Sequence, residues 1–143
     1  MRNTQLRPVK PETDESGRVP LTRILVVDDD PRLLRIVSKI LTDEGHEVET
    51  VDNGRDALER IKSRRYSLIL TGIRMPYMNG FELYEHIQKI DRFLANRVIV
   101  ISGDVMAGDA QEFLAKNEVP YLAKPFDAEQ LSKYINRMLS RVK

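Results

Sequence analysis

Apolar residues along the chain alternate between short dense runs and longer stretches with helical spacing. Short runs rich in β-branched residues are typical of strands in a parallel sheet, whose two faces are both covered. We predict five such strands: Arg23–Val27, His46–Val51, Leu68–Leu70, Arg97–Ser102 and Val119–Ala123. The third strand ends at Thr71-Gly72 and opens into a loop that carries Met75-Pro76 and Asn79-Gly80.

Helical segments are predicted after each strand, and several carry recognisable start signals. Asp30-Pro31 suits an N-cap followed by the first helical position, and Asn79 with Glu82 has capping-box spacing. Asn53-Gly54 and Asp127 precede two further helices, whereas the start of a helix near residues 109–116 is poorly signalled. The apolar positions of the five helices are Leu33, Leu34, Val37, Ile40, Leu41; Ala57, Leu58, Ile61; Phe81, Leu83, Ile87, Ile90; Phe113, Leu114; and Leu131, Ile135, Met138, Leu139.

This alternation predicts an α/β fold, a doubly wound five-stranded parallel sheet with five helices. Strands separated by helical crossovers pair in parallel through right-handed connections, with helices on both faces. A compact flavodoxin-like sheet suits this length, although the pattern leaves the strand order open.

The first 21 residues differ from the rest of the chain in composition. They combine four Pro and Gly residues with scattered charges and few apolar side chains, which predicts a flexible tail or linker before a domain over residues 22–143. The formal net charge of +1 gives no reason to expect nucleic-acid or membrane contact. The chain has no cysteine, and no apolar run approaches the ~20 residues of a membrane span, so we expect a cytoplasmic protein.

Chemically capable residues follow the predicted strands at their carboxyl ends, which meet at one edge of a parallel sheet. They are Asp28 and Asp29 after the first strand, Ser102 at the end of the fourth and Lys124 after the fifth, whereas the residue after the third strand is Gly72. Paired carboxylates suit Mg²⁺, and a hydroxyl with an ammonium group suits phosphoryl oxygens. Taken singly, each is more ordinary: an N-cap, a turn residue or a solvated charge. Their joint order at successive strand ends is what makes coincidence improbable.

Four segments extend this pattern into a family resemblance: ILVVDDDP, IRMPYMNGFEL, VIVISGD and YLAKPF. They resemble the receiver (CheY-like) domain of two-component response regulators over everything except the first residues. The segment from Arg97 to Asp127 is most similar to receivers carried by hybrid sensor histidine kinases. The resemblance implies a phosphorelay module without enzymatic activity of its own. The implied partners are a sensor histidine kinase or a phosphotransfer protein, and a second copy of the chain could form a homodimer.

The resemblance also implies roles for individual residues. Asp28 and Asp29 would form the acidic pocket, with Asp29 a metal ligand together with the backbone carbonyl of Arg74. Ser102 would be the switch hydroxyl and Lys124 the lysine that contacts the phosphoryl group. Tyr121 would be the aromatic switch on the last strand.

Gly72 departs from the family pattern at the position where the phosphoacceptor aspartate is expected. Glycine has no side chain to attack phosphorus or to bind a metal, so we expect Mg²⁺ binding to be possible but weak. Thr71 is no simple substitute, because adjacent strand residues face opposite sides of the sheet. Either this is a receiver that signals without phosphorylation, which we favour, or it is a module cut from a hybrid kinase in which the aspartate was replaced by mutation.

Other classes explain the motifs less well. Asp28 and Asp30 mimic the acidic pair of a haloacid-dehalogenase-like phosphohydrolase, but Arg32 is unsuitable for the position that follows, and a cap domain does not fit this length. No Gly/Ser/Thr-rich phosphate loop follows the first strand, which argues against a flavodoxin. The receiver occupies the chain to its end, so a DNA-binding output domain is not expected.

Overall fold

The computed structural model describes residues 22–103 and 108–140, and it arranges them as one parallel sheet with helices on both faces. The strands are β1 (Arg23–Val27), β2 (Glu47–Val51), β3 (Leu68–Thr71), β4 (Val98–Ser102) and β5 (Tyr121–Ala123). The helices are α1 (Pro31–Asp43), α2 (Gly54–Ser63), α3 (Gly80–Ile90), α4 (Arg92–Ala95), α5 (Gly108–Asn117) and α6 (Ala128–Ser140).

The strand order is β2-β1-β3-β4-β5, and every neighbouring pair is parallel. This is the flavodoxin-like order, in which β1 and β3 are adjacent although a strand separates them in sequence. The register pairs Val27 with Thr71 and Ser102 with Ala123. The predicted doubly wound fold is therefore confirmed, and the carboxyl ends of β1, β3, β4 and β5 lie side by side.

Alternate residues of each strand face two separate hydrophobic cores. Leu25, Val27 and Ile69 pack with residues of α2, α3, α4 and α5 on one face. Ile24 and Val26 pack with α1 and α6 on the other face. All five of these side chains are fully buried or nearly so. This two-sided burial is why the strands are continuous apolar runs rather than alternating ones.

The helix caps predicted at Asp30, Asn79 and Asp127 are present in the structure. The Asp30 side chain accepts a hydrogen bond from the backbone N–H of Arg32 at the start of α1. Asn79 and Glu82 form a reciprocal capping box at α3. Asp127 exchanges equivalent bonds with Gln130 before α6. Side-chain caps satisfy N–H groups that the first helical turn leaves without partners, which makes these boundaries readable from local sequence.

The structure also contains features that the pattern did not predict. Five helices were expected, and the described residues contain a sixth, the four-residue helix α4, capped by the Asp91 side chain. A single turn is too short to give an apolar periodicity. Ile90, assigned to the apolar set of α3, is 49% exposed because it is the last residue of that helix. Among the described residues, no helix is long and apolar enough to cross a membrane.

Candidate functional site

The acidic pair lies at the end of β1, with its two members in different environments. Asp28 is buried (4% exposed), and its Oδ1 accepts a hydrogen bond of 2.9 Å from the backbone N–H of Asp30. Asp29 is exposed at the mouth of the site. The Asp28 N–H donates to the Val51 carbonyl at 3.2 Å, which extends the pairing of β1 with β2 to this residue. Asp28 is therefore fixed, whereas the Asp29 side chain faces solvent.

Lys124 reaches this carboxylate from the other side of the sheet edge. Its Nζ lies 3.8 Å from Asp28 Oδ2. Its backbone N–H donates to the Ser102 carbonyl at 3.0 Å, which places the end of β5 against the end of β4. Ser102 itself is buried at 6% exposure. The structure thus brings Asp28, Ser102 and Lys124 to one edge, as the sequence predicted.

Gly72 lies between them, directly after β3. It is buried, and its N–H donates to the Val27 carbonyl at 2.8 Å. A Cβ atom built on Gly72 would lie 2.7 Å from Asp28 Oδ2, closer than real contacts allow. The Asp28 carboxylate therefore rests against the Gly72 backbone, in space that any side chain at position 72 would need.

The loop after β3 folds back onto the same glycine. The neighbouring Thr71 is fully buried, and its hydroxyl donates to the Gly72 carbonyl at 2.9 Å. A Cβ atom on Gly80 would lie only 2.1 Å from that carbonyl oxygen, so α3 can begin this close to the site only with glycine at its first position. Thr71 is thus engaged within the backbone and is not presented as an alternative nucleophile.

Burial is the largest electrostatic influence on the Asp28 carboxyl. Burial raises the pKa of the Asp28 carboxyl above its usual range, because desolvation disfavours the charged form. The Asp30 N–H and the Lys124 ammonium act in the opposite direction, and the Asp29 carboxylate adds to the increase. Another carboxylate at position 72 would strengthen this like-charge repulsion.

Arg74 links the loop after β3 to the first turn of α5 through an interaction that the sequence did not reveal. Its guanidinium donates to both carboxylate oxygens of Asp109, at 3.1 and 2.9 Å, and lowers the pKa of that carboxyl. It also lies 5.9 Å from the Phe81 ring, which stacks on Phe113 at 4.4 Å. The opposite charges of Arg74 and Asp109 were visible in the sequence, but 35 residues separate them and no local spacing pairs them.

Two further predictions concern Tyr121 and the metal site. Tyr121 is the first residue of the edge strand β5 and is 41% exposed. Within residues 22–103 and 108–140, no group of three His, Cys, Asp or Glu side chains is arranged to hold a metal ion. Of the predicted metal ligands, Asp28 and Asp29 are the two that carry carboxylates, and both follow β1.

The sequence matches the response regulator receiver domain family over residues 24–136. The chain belongs to this family. Receiver domains are signalling modules of two-component systems, interact with histidine kinases or phosphotransfer proteins, and commonly bind Mg²⁺ in their active site.

Related receivers occur in both kinases and transcriptional regulators. The chain is 35% identical over 127 residues to the signal transduction histidine-protein kinase BarA of Escherichia coli, covering 89% of this chain and 14% of BarA. A receiver domain protein (CheY-like) of Methanospirillum hungatei has a TM-score of 0.78 at 30% identity, covering 85% of this chain and 95% of that one. A third similar structure is the receiver domain of the sensor histidine kinase PA1611 of Pseudomonas aeruginosa, which was solved with a magnesium ion in its active site cleft. It has a TM-score of 0.74 at 26% identity, and the match covers 83% of this chain and 98% of that one.

Proposed function

We propose that this receiver does not accept a phosphoryl group and that it signals through protein–protein contacts. The observation that carries the proposal is the tip of β3, where Gly72 stands at the expected phosphoacceptor position and the Asp28 carboxylate lies against it. The proposed partner is a sensor histidine kinase or a phosphotransfer protein in the cytoplasm. Association with a second copy would use exposed side chains such as Tyr121.

The chemistry explains why one residue is decisive. Phosphoryl transfer requires an attacking oxygen in line with the leaving group, and most of the remaining catalysis is positioning and electrostatic stabilisation. In this proposal, Lys124 and Ser102 supply the electrostatic part from the ends of β5 and β4. Asp28 has an oxygen, but its carboxylate is held by the Asp30 N–H and the Lys124 ammonium group. A nucleophile at position 72 is therefore the missing component.

Mg²⁺ would supply positive charge to phosphoryl oxygens, with Asp28 and Asp29 as its carboxylate ligands. Mg²⁺ sites usually combine one or two carboxylates with waters and substrate oxygens, so this pair fits the ion only partly. One of the two carboxylates is already paired with Lys124. We therefore propose weak Mg²⁺ binding, with the backbone carbonyl of Arg74 as a further ligand.

A second candidate is a phosphorelay receiver from a hybrid kinase whose aspartate has been replaced by glycine. The similarity to the BarA kinase supports it, because the chain corresponds to a short part of that longer protein. Both candidates share the same site and differ only in whether Gly72 is the natural residue.

Intact-mass measurement after incubation with a small phosphodonor and Mg²⁺ tests the proposal. We expect no phosphoryl adduct on the parent chain and one adduct on the Gly72→Asp variant, because the new side chain supplies the attacking oxygen once the Asp28 carboxylate has moved aside. Gly72→Asn is the matched control, because it has nearly the same shape as aspartate and no nucleophilic carboxylate. An adduct on the parent chain, mapped to Asp28 or Asp29, would disprove the proposal.

A further inference from the structure

A basic groove lies at the end of the sheet opposite the candidate site, where β3 and β4 begin. It has a volume of about 550 Å³ and is lined by residues of the α2–β3 connection and of the α3–β4 connection. We call it the basal groove and define it by Lys62, Arg65, Tyr66, Phe93 and Arg97. These residues precede the strands, whereas Asp28, Gly72 and Lys124 follow them, so the basal groove is separate from the candidate phosphoryl site.

The groove contains cations that have no ion-pair partner in the described part of the chain. Arg64, at its rim, pairs with Glu47 and Glu49 of β2. By contrast, the side chains of Lys62, Arg65 and Arg97 form no ion pair with any residue in 22–103 or 108–140. The groove thus has a surplus of positive charge.

Other lining residues define what would fit beside these cations. The one acidic residue in the lining, Asp91, has a carboxylate oxygen engaged by the Leu94 N–H at the cap of α4. Phe93 is 76% exposed, which is unusual for a large apolar ring. An occupant with several carboxylates and a neighbouring apolar side chain would match this surface.

The chain's own first residues provide such a segment. Residues 11–16 read PETDES and contain Glu12, Asp14 and Glu15, with no basic residue between Lys10 and Arg18. Pro11 directly precedes Glu12, and Val9 lies three residues before Glu12, so both supply apolar side chains near the acidic residues. This segment therefore offers three carboxylates, which equals the number of groove cations without an ion-pair partner among residues 22–103 and 108–140.

The path of the chain places this segment within reach. The Arg23 side chain donates to the Arg65 carbonyl at 3.2 Å, and the Ser67 N–H donates to the Arg23 carbonyl at 2.8 Å. The chain thus enters β1 beside the wall of the groove. Asp14 precedes Thr22 by eight residues, which span at most about 28 Å when extended. Adjacent strands are only about 4.8 Å apart, so the segment can reach the groove without strain.

We propose that residues 11–16 bind the basal groove, with Glu12, Asp14 and Glu15 pairing with Lys62, Arg65 and Arg97. The tether replaces a bimolecular encounter by an intramolecular one with an effective concentration in the millimolar range, so weak contacts are sufficient. The docked segment covers the edge remote from the phosphoryl site. Docking there orients the part of the chain that precedes the segment, and it requires no change at Gly72. This inference does not rest on the proposed function.

Paramagnetic relaxation enhancement tests the proposal directly. The chain has no cysteine, so Thr13→Cys provides a unique attachment site for a nitroxide. At low salt, about 0.02 M, we expect selective broadening of the amide signals of Arg65, Phe93 and Arg97, and none at Asp28 or Lys124. Raising the salt to about 0.5 M shortens the screening length to a few ångströms and should restore the signals.

Charge-matched variants separate docking from general attraction. Arg65→Gln with Arg97→Gln should abolish the broadening, and so should Glu12→Gln with Asp14→Asn and Glu15→Gln. Arg35→Gln with Lys116→Gln removes the same charge from exposed positions on α1 and α5 and should leave the broadening unchanged. The proposal is overturned if broadening is absent, if it is spread evenly over the domain, or if both basic double variants reduce it equally.

Discussion

Among single residues, Asp28 has the largest influence on the site. It is buried, it pairs with Lys124 at 3.8 Å, and it occupies the space beside Gly72. A side chain at position 72 would have to displace this carboxylate. An aspartate there would also place a second charge beside a carboxyl whose pKa burial already raises. The identity of residue 72 therefore determines both the chemistry of the site and its electrostatic strain.

We expect Gly72→Asp to lower the free energy of unfolding by about 1–3 kcal/mol in chelator. The repulsion between unit charges about 4 Å apart reaches about 4 kcal/mol at an effective dielectric constant of ~20. The loss of glycine's backbone entropy in the unfolded chain offsets roughly 0.5–1 kcal/mol of this. Added Mg²⁺ should recover much of the loss, and the variant should bind Mg²⁺ about tenfold more tightly than the parent, about 1.4 kcal/mol.

Urea denaturation with and without Mg²⁺, together with a Mg²⁺ titration, measures these effects. Gly72→Ala is the matched control, because it introduces the same Cβ atom beside Asp28 without a charge. If the aspartate variant is more stable than the parent in chelator, or binds Mg²⁺ no better, the electrostatic explanation is wrong.

His46 makes stability depend on pH at the other side of the domain. Its ring is buried against the Thr22 hydroxyl, and this burial lowers the pKa of the imidazole below its usual range. Below about pH 6.5 the unfolded chain therefore binds a proton more readily than the folded one, and stability falls as the pH falls. His46→Gln should reduce this slope between about pH 7.5 and about pH 5. Denaturation across that range measures the slope of stability against pH, with His86→Gln on the exposed face of α3 as the control. Equal slopes in both variants would rule out this role for His46.

Among the elements, α3 is the one most tightly joined to the site. Its capping box holds the N-terminus, and Gly80 donates its N–H to the Ile73 carbonyl at 2.8 Å. The Gly72 carbonyl lies where a Gly80 side chain would begin. The helix and the loop after β3 therefore form one packed unit, and the position of the loop depends on the start of the helix.

Gly80→Ala should destabilise the protein by about 2 kcal/mol or more, because the clash is with backbone that cannot move aside. Gly108→Ala is the control, since a Cβ there meets nothing within 4 Å at the start of α5. We expect that change to be neutral or to stabilise by up to about 1 kcal/mol. Thermal and urea denaturation compare the two variants, and equal effects would show that the Gly80 contact is relieved by a loop shift.

At the scale of the whole molecule, the two ends of the parallel strands have different properties, and we call them the carboxyl edge and the amino edge. The carboxyl edge carries the receiver site, and the amino edge carries the basal groove. Between them lie two hydrophobic cores, whose described members begin at Ile24. Folding energy comes from these cores, whereas both edges consist largely of polar loops.

Removal of residues 1–20 should therefore change the free energy of unfolding by less than about 1 kcal/mol, the range of weak surface ion pairs. The described cores and the Thr22–His46 contact are retained in the shortened chain. Denaturation at low and high salt measures the change. A loss of several kcal/mol would mean that the first residues contribute to the core, contrary to the domain boundary proposed at residue 22.

Features that depend on local interactions could be predicted from the amino-acid sequence. Apolar runs predicted the five strands, since burial on both faces of a sheet leaves no alternation. Asp30, Asn79 and Asp127 marked helix starts, because a cap bonds to N–H groups only two or three residues away. The same runs placed Asp28, Ser102 and Lys124 at strand ends, and the missing side chain of Gly72 was visible directly.

Contacts between residues far apart in the chain could not be predicted in this way, because they depend on how the elements pack. The strand order brought β1 beside β3, so that Asp28 lies against Gly72 and pairs with Lys124, 96 positions away in the chain. The pairing of Arg74 with Asp109 and the assembly of the basal groove from two separate connections arise in the same way. Periodicity records which face of an element is buried, but it carries no information about which other element covers that face.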